Sequence, residues 1–368
     1  MAKFNDTLGG WGVEGSDIRV GLDVSDKSCR WAGMDLASGE IREGRLLTTR
    51  EGIAESFRST ARCVVVMEAG THAPWLARLL NELGHRAVVV DAKVLTQGGG
   101  RRRRKNDQRD ARGLMEVAMD FGRPRVKELW QRPEEYQEDL SLMRMRDAMV
   151  RARGLLANAT RGAVKQFGER VAAHSVESLA KCAREELSAK VQVLVEPALA
   201  QIEQTTKAIG QYDELVEAYL ARRPESARLR QVQGVGPVTT GVFMAVVGDP
   251  KRFKRSRDVA AYLGLAPGQN QSGDDDPQLR ISKAGDELAR RSLLQCAHLM
   301  MSSRGQDSAL RRWALKLAGD GTNKTRKKKA AVALARKLAT LLHRLWLSGE
   351  KYEPLRGVKR EEEGAVAA

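Results

Sequence analysis

Four carboxylates carry the strongest chemical signal in the sequence. Asp23 lies within Gly21-Leu22-Asp23-Val24-Ser25, an apolar run in which a charge must be paired, coordinated or pushed toward its neutral form. Glu68 directly follows Val64-Val65-Val66-Met67 and precedes Ala69-Gly70. Asp107 and Asp110 stand three apart in Asn106-Asp107-Gln108-Arg109-Asp110-Ala111, so on a helix beginning there they project from one face. Taken singly, each has a structural reading: a turn for Asp23, and N-terminal helix capping for Asp107 and Asp110. Taken together, four acids would repel one another unless they surround hard divalent cations. Such cations favour oxygen ligands and stabilise both the attacking and the leaving oxygen of a phosphodiester.

A mixed α/β segment must position these acids. Between Ile18 and about Asp110, β-rich runs give way to alternating helix and strand. Strands are predicted from Ile18 to Val24, Cys29 to Asp35 and Ile41 to Thr48. A helix from Gly52, a strand from Cys63 to Met67, a helix from Trp75 to Leu83 and a strand from Ala87 to Val90 follow. The runs Val64-Val65-Val66 and Val88-Val89-Val90 do not alternate with polar residues, which predicts burial on both faces at the sheet centre. Asp23 and Glu68 then end two buried strands that can be neighbours.

The rest of the composition narrows the class of partner. The chain has 368 residues, with 63 Lys and Arg against 47 Asp and Glu, a net charge of +16 that points to a polyanion, above all nucleic acid. No run approaches the length and apolarity of a membrane span, and no basic-then-apolar leader opens the sequence, so a cytoplasmic protein without a membrane role is expected. Cys29, Cys63, Cys182 and Cys296 form no CxxC pair, and the five histidines have no zinc spacing, which argues against a disulfide framework or structural zinc.

Basic segments recur along the chain. Arg101, Arg102, Arg103, Arg104 and Lys105 follow three glycines and either guide nucleic acid toward Asp107 or form a solvated loop. From about Pro133 to Arg222 the composition is helix-forming, and Ile202, Ile209, Tyr212, Val216 and Tyr219 mark a helical hairpin, a dimerising arm or an ordinary buried face, with Pro197 interrupting upstream. Gln233-Gly234-Val235-Gly236-Pro237 looks like a helix-hairpin-helix turn in which Gly234 and Gly236 free backbone N–H groups for a phosphate; a plain helix connection is the other reading. Arg280, Lys283, Arg290 and Arg291 are candidate phosphate contacts, although a solvated basic helix face would read the same, as would the run from Lys324 to Lys329.

The order of the strands with Asp23, Glu68, Asp107 and Asp110 resembles the ribonuclease-H-like domain of RuvC-type nucleases in its Asp-Glu-Asp-Asp form. Downstream come Tyr262-Leu263-Gly264-Leu265-Ala266-Pro267, Gln271-Ser272-Gly273, Leu279-Arg280-Ile281-Ser282-Lys283-Ala284-Gly285-Asp286 and Arg290-Arg291. With the four acids upstream, this order resembles the Asp-Glu-Asp-Asp transposases of the insertion sequence one-ten type, over roughly Ile18 to Leu347.

The resemblance implies an α/β RuvC-like domain at 17–128 after a flexible tail at 1–16. It further implies a coiled-coil-like arm at 129–223, a mainly α transposase domain at 224–348 and a disordered acidic tail at 349–368. It puts the catalytic nucleophile on Ser272, with Ser282 a weaker candidate, and metal ligation on Asp23, Glu68, Asp107 and Asp110, for two Mg²⁺ ions that Mn²⁺ can replace. The implied partners are element-end and target DNA, a structured noncoding bridge RNA and further copies of the chain in a homodimer or homotetramer, on the bacterial nucleoid. The implied reaction is RNA-guided recombination through a phosphoserine. Asp274-Asp275-Asp276, directly after Ser272-Gly273, departs from what an approaching phosphodiester would favour. Two other readings remain: a RuvC-like metal-dependent endonuclease that activates water and needs no serine, and a noncatalytic nucleic-acid-binding protein.

Overall fold

The computed structural model describes residues 8–12, 17–91, 107–122, 127–172, 175–268 and 279–356. The chain divides into two compact units, Met1–Arg132 and Pro133–Ala368.

The N-terminal unit is built on five strands: β1 (Ile18–Val24), β2 (Ser28–Asp35), β3 (Ile41–Leu47), β4 (Cys63–Glu68) and β5 (Arg86–Val90). Their spatial order is β3-β2-β1-β4-β5. The first three form an antiparallel meander, whereas β4 runs parallel to β1 and β5 parallel to β4. The parallel pairs require crossovers, supplied by α1 (Arg50–Arg58) and α2 (Ala73–Glu82). Ile53, Phe57, Leu76 and Leu80 from these helices pack on Ile18, Val20, Leu22, Val65 and Val89. The opposite face is covered by α3 (Asp107–Met119), whose Leu114 and Ala118 meet Val66, Val88 and Val90. The valine runs of β4 and β5 are thus divided residue by residue between two cores, which is why they lack alternation.

Leu8 and Trp11, inside the stretch read from sequence as a flexible tail, are buried in this unit. The Trp11 indole N–H donates to Glu40 at 3.2 Å, and its ring lies 6.1 Å from that of Trp31. Two aromatic rings and a hydrogen-bonded indole hold this part of the stretch in place.

The C-terminal unit is helical: α4 (Glu134–Lys165), α5 (Leu179–Glu186), α6 (Ala189–Ala221), α7 (Ser226–Leu229), α8 (Pro237–Val247), α9 (Ser256–Tyr262), α10 (Glu287–Met301), α11 (Ala309–Ala318) and α12 (Lys324–Ser348). Helices α4 and α6 form an antiparallel hairpin, because Asp139 pairs with Arg223, Arg146 with Asp213, and Arg153 with Thr206. Ile202, Ile209, Val216 and Tyr219 are buried, so the spaced apolar stripe is consumed within the chain. Pro197 does not interrupt α6. The carbonyl it leaves without an intrahelical donor is that of Val193, which is 75% exposed, so water can satisfy it.

Residues 240–247 of α8 are all buried, making it the axial helix of this unit's core. The segment after α12, read as the start of a disordered tail, is anchored as far as residue 356: Ala309 donates to the Pro354 carbonyl at 2.8 Å, and Tyr352 donates its N–H to Gln231 at 3.0 Å.

Candidate active site

Register places the first two acids side by side. The parallel β1–β4 ladder ends with Gly21 beside Val66 and Leu22 beside Met67, and Asp23 and Glu68 are the next residue on each strand. Both are half-buried. Strand alternation puts Asp23 on the face of Gly21, and Glu68 on the face of Val66, which is the face that α3 covers. Glu68 also faces the end of β5, since its register partner there is Val90.

Helix α3 brings the second pair. A Cβ on Gly21 would lie 2.1 Å from the Met115 nitrogen and 2.2 Å from the Ala111 carbonyl oxygen, so the helix backbone rests directly on β1 and only glycine fits beneath it. Asp110 precedes Ala111 and is therefore held at this crossing, half-buried. The first turn of α3 is pinned from the side: Gln108 donates to Glu43 at 2.8 Å, and Arg112 grips the same carboxylate with both Nε and Nη2. The Arg112 guanidinium holds the Glu43 carboxyl below the usual carboxylate range. Asp107 is the first residue of α3, and its side chain lies outside the described residues.

A polar link absent from the sequence reading ties the loops after β1 and β4. His72 Nε2 lies 3.2 Å from Asp26 Oδ1, and the Trp75 indole N–H donates to His72 Nδ1 at 3.1 Å. Because Nδ1 accepts, the neutral ring carries its proton on Nε2 and donates it to Asp26. The link holds together the loops that follow Asp23 and Glu68. Gly21, a glycine inside a strand, is the sequence signal that could have found the helix crossing.

The donor set is all oxygen, which suits a hard divalent cation. Among the described residues, no group of three or more His, Cys, Asp or Glu side chains stands close enough to hold a metal ion. Asp23, Glu68 and Asp110 therefore do not close a metal cage by themselves, and the fourth candidate, Asp107, is the one whose side chain is not described.

In the C-terminal unit, Ser272 and Asp274, Asp275 and Asp276 lie outside the described residues, as do Arg101 to Lys105 in the N-terminal unit. The two ends of the segment holding Ser272 are paired with one another. Pro267 and Ile281 form an antiparallel bridge, Gly268 donates to the Arg280 carbonyl at 2.9 Å, and Ser282 donates to that of Ala266 at 2.9 Å. A Cβ on Gly285 would lie 2.1 Å from the Tyr262 carbonyl oxygen, so the chain after the second paired segment passes directly over the end of α9.

Arg290, read from sequence as a phosphate contact, is buried. Its Nη1 donates to the Leu263 carbonyl at 3.2 Å and to that of Gly285, bracketing the two paired segments at their outer ends. Arg291 is ion-paired with Asp147 of α4. Arg280 is exposed, and Lys283, also exposed, has φ of 55°, a left-handed backbone enforced by the tight turn into Gly285. Gly234 and Gly236 form the turn between α7 and α8, where the Cys296 thiol donates to the Gly234 carbonyl at 2.8 Å and Gly236 caps α8.

Comparison with known proteins agrees with both regions. A transposase model of the Asp-Glu-Asp-Asp IS110 type matches residues 20–169, and a model described as "Transposase IS116/IS110/IS902 family" matches residues 226–313. A Sinorhizobium fredii protein designated transposase y4pF/y4sB is 30% identical over 357 residues, covering 92% of this chain and 87% of its own. The chain belongs to the IS110 family of transposases. This transposase is also 28% identical to a family 20 transposase of Pseudomonas aeruginosa, over 91% of this chain and 98% of the other. It is 26% identical to the transposase of insertion sequence element IS1111A of Coxiella burnetii, over 91% and 92%. The Asp-Glu-Asp-Asp domain carries divalent-metal dependence with it, and a transposase has DNA as its substrate. No helix among the described residues is long and apolar enough to cross a membrane.

Proposed function

We propose that this transposase is an RNA-guided site-specific recombinase in which the N-terminal carboxylates and Ser272 act on the same phosphodiester. Asp23, Glu68, Asp107 and Asp110 are the metal ligands, with Mg²⁺ as the ion. When bound, the metal supplies Lewis-acid stabilisation of charge on the scissile phosphate. The observation that carries this reading is the placement of Asp23 and Glu68 as neighbours on adjacent parallel strands, on the face against which α3 is seated by Gly21. The strand order, an antiparallel meander continued by two parallel strands, supports a ribonuclease-H-like, RuvC-like assignment for this domain. The assigned organisation is a RuvC-like domain at 17–128, a helical arm at 129–223 and a serine-bearing domain at 224–348.

Ser272 Oγ attacks phosphorus and forms an Oγ–P bond. The P–O bond to one deoxyribose breaks, and the serine proton ends on the departing hydroxyl, so the phosphodiester is conserved as a phosphoserine. Attack by a new strand's hydroxyl reverses the exchange and regenerates the serine. Bond energy is retained throughout, which strand rejoining requires and hydrolysis by water does not provide. Arg280, Lys283 and the Gly234–Gly236 turn are the backbone-phosphate contacts in the C-terminal unit, and residues 101–105 in the N-terminal one. A structured bridge RNA selects donor and target by pairing, consistent with a protein whose basic segments suit backbone rather than base contact. The active assembly is a homodimer or homotetramer on nucleoid DNA.

The test is a denaturing gel of labelled element-end DNA with Mg²⁺ and the candidate RNA. A covalent protein–DNA adduct that disappears in Ser272→Ala is the expected result. Cleavage without an adduct, equally efficient in Ser272→Ala, would overturn the serine assignment in favour of water activated by the carboxylates. Adduct formation independent of RNA would overturn the guidance.

A further inference from the structure

A groove of about 1570 Å³ runs along α12 within the C-terminal unit. Its walls carry ten Lys and Arg residues and a single carboxylate, Glu353, so anything that fills it must bring its own dense negative charge. Lys329, Arg336 and Arg344 recur at two-turn intervals on α12, which aligns them on one face over roughly 22 Å. All three are exposed and form no ion pair among the described residues. The floor is apolar, formed by Leu294, Leu310, Trp313, Leu317 and Leu341. The Trp313 ring already attracts one cation, with Lys337 Nζ 3.7 Å from its centroid. Its lining also includes Pro267, Leu279, Arg280, Ile281 and Lys283, from the paired segments that flank Ser272 in the sequence.

We infer that this groove holds a single DNA strand beside the paired segments that flank Ser272 in the sequence. A basic wall over an apolar, partly aromatic floor is the arrangement that grips a strand by its phosphates and gives its unpaired bases a surface to lie on. A duplex turns its bases inward and presents only phosphates and sugars, so an apolar floor of Leu294, Leu310, Trp313, Leu317 and Leu341 favours an unpaired strand whose bases are free to lie on it. Continuity with the segments that flank Ser272 favours the strand that is cut over a distant segment of RNA. The inference deepens the proposed function by assigning its C-terminal unit the unpaired state of the substrate.

Binding is measured with the full chain carrying Ser272→Ala, so that a failed serine assignment leaves the readout untouched. The probes are a short labelled DNA strand, its duplex and the RNA strand of the same sequence. Replacing Lys329, Arg336 and Arg344 together by Gln is expected to flatten the salt dependence for the DNA strand by about 2 log units per log unit of salt, roughly 0.7 per lost phosphate contact. Kd at moderate salt rises about tenfold or more, while duplex affinity changes less than about twofold. The paired changes Arg336→Lys and Arg344→Lys keep the charges and the wild-type slope, which separates lost charge from damaged folding. An unchanged slope in the Gln variant, an equal loss on duplex, or RNA bound more tightly than DNA and lost in the same variant would each overturn the assignment.

Discussion

The two units hold their chemistry in opposite ways. In the N-terminal unit the acids stand on regular elements: Asp23 and Glu68 are the next residues along a parallel ladder, and Asp110 rides on a helix in backbone contact with β1. Their positions follow from the sheet and can shift only if the sheet does. In the C-terminal unit what is built is a pair of short segments, 264–268 and 280–283, held by three main-chain hydrogen bonds and the Arg290 bracket, with exposed cations around them. A metal site needs ligands fixed to within a fraction of an ångström, which strands and helices provide. Loops over rigid elements commonly carry groups that must engage and release a partner. Substitutions near the acids are therefore expected to act through geometry, and those near the paired segments 264–268 and 280–283 through anchoring.

The largest effect is expected for Asp23→Asn. It keeps the volume and removes the charge, so strand cleavage should fall by at least about 10²-fold, the usual loss when one preorganised electrostatic group is removed. Circular dichroism and nucleic-acid binding should be unchanged. Cleavage at the wild-type rate would detach Asp23 from the chemistry and leave the sheet edge merely structural.

Gly21→Ala tests whether the helix seat is the positioning device. The added methyl would overlap the backbone of α3, which cannot yield without moving Asp110. A loss of about 1–3 kcal/mol in urea unfolding is expected, together with loss of cleavage. Gly70→Ala is the control, because a Cβ there meets nothing within 4 Å, and it should stay within about 0.5 kcal/mol of wild type. Equal stability of the two variants would mean that α3 does not rest on β1 as described.

In the C-terminal unit the neighbouring arginines should part company. Arg290→Met strips a buried donor from two main-chain carbonyls and should cost about 1–3 kcal/mol. Arg291→Gln breaks an ion pair with partial solvent access, 35% on the arginine side, and should cost less than about 1 kcal/mol. Similar costs would remove the distinction between bracket and surface contact.

These arginines also show how far the sequence could be read. The sheet, and the placement of Asp23 and Glu68 at the ends of two neighbouring strands, were legible because valine runs and strand order obey local rules. The helix seat on Gly21 was half-legible, since a glycine in a strand announces close approach without saying what approaches. Arg290 and Arg291 were indistinguishable, because adjacent helix positions point about 100° apart and only the fold decides which one faces inward. Trp11 and the Pro354 segment were misread as tails for the same reason: their anchors are distant in sequence. The basic run beginning at Lys324 could not reveal a groove, because the apolar floor comes from α10 and α11 as well as α12.

The smallest effect separates the units by pH. Among the described residues, each buries one histidine whose pKa burial lowers: His85 in the N-terminal unit, with Nε2 3.0 Å from the Phe57 carbonyl oxygen, and His343 in the C-terminal unit, with Nε2 2.8 Å from that of Pro250. The folded state therefore resists protonation that the unfolded chain accepts. Below the unfolded histidine pKa of about 6.5, the unfolded state binds more protons and stability falls as pH falls; above it, this contribution is fully present. Each histidine can contribute at most about 1.4 kcal/mol per pH unit to that slope. Urea midpoints between pH 7 and pH 5 should decline less in His343→Gln for the transition that reports the helical unit, and less in His85→Gln for the one that reports the sheet. If either substitution flattened both transitions equally, the units would be unfolding as one cooperative body, and the contrast between a rigid sheet site and an anchored loop would need to be drawn within a single folding unit.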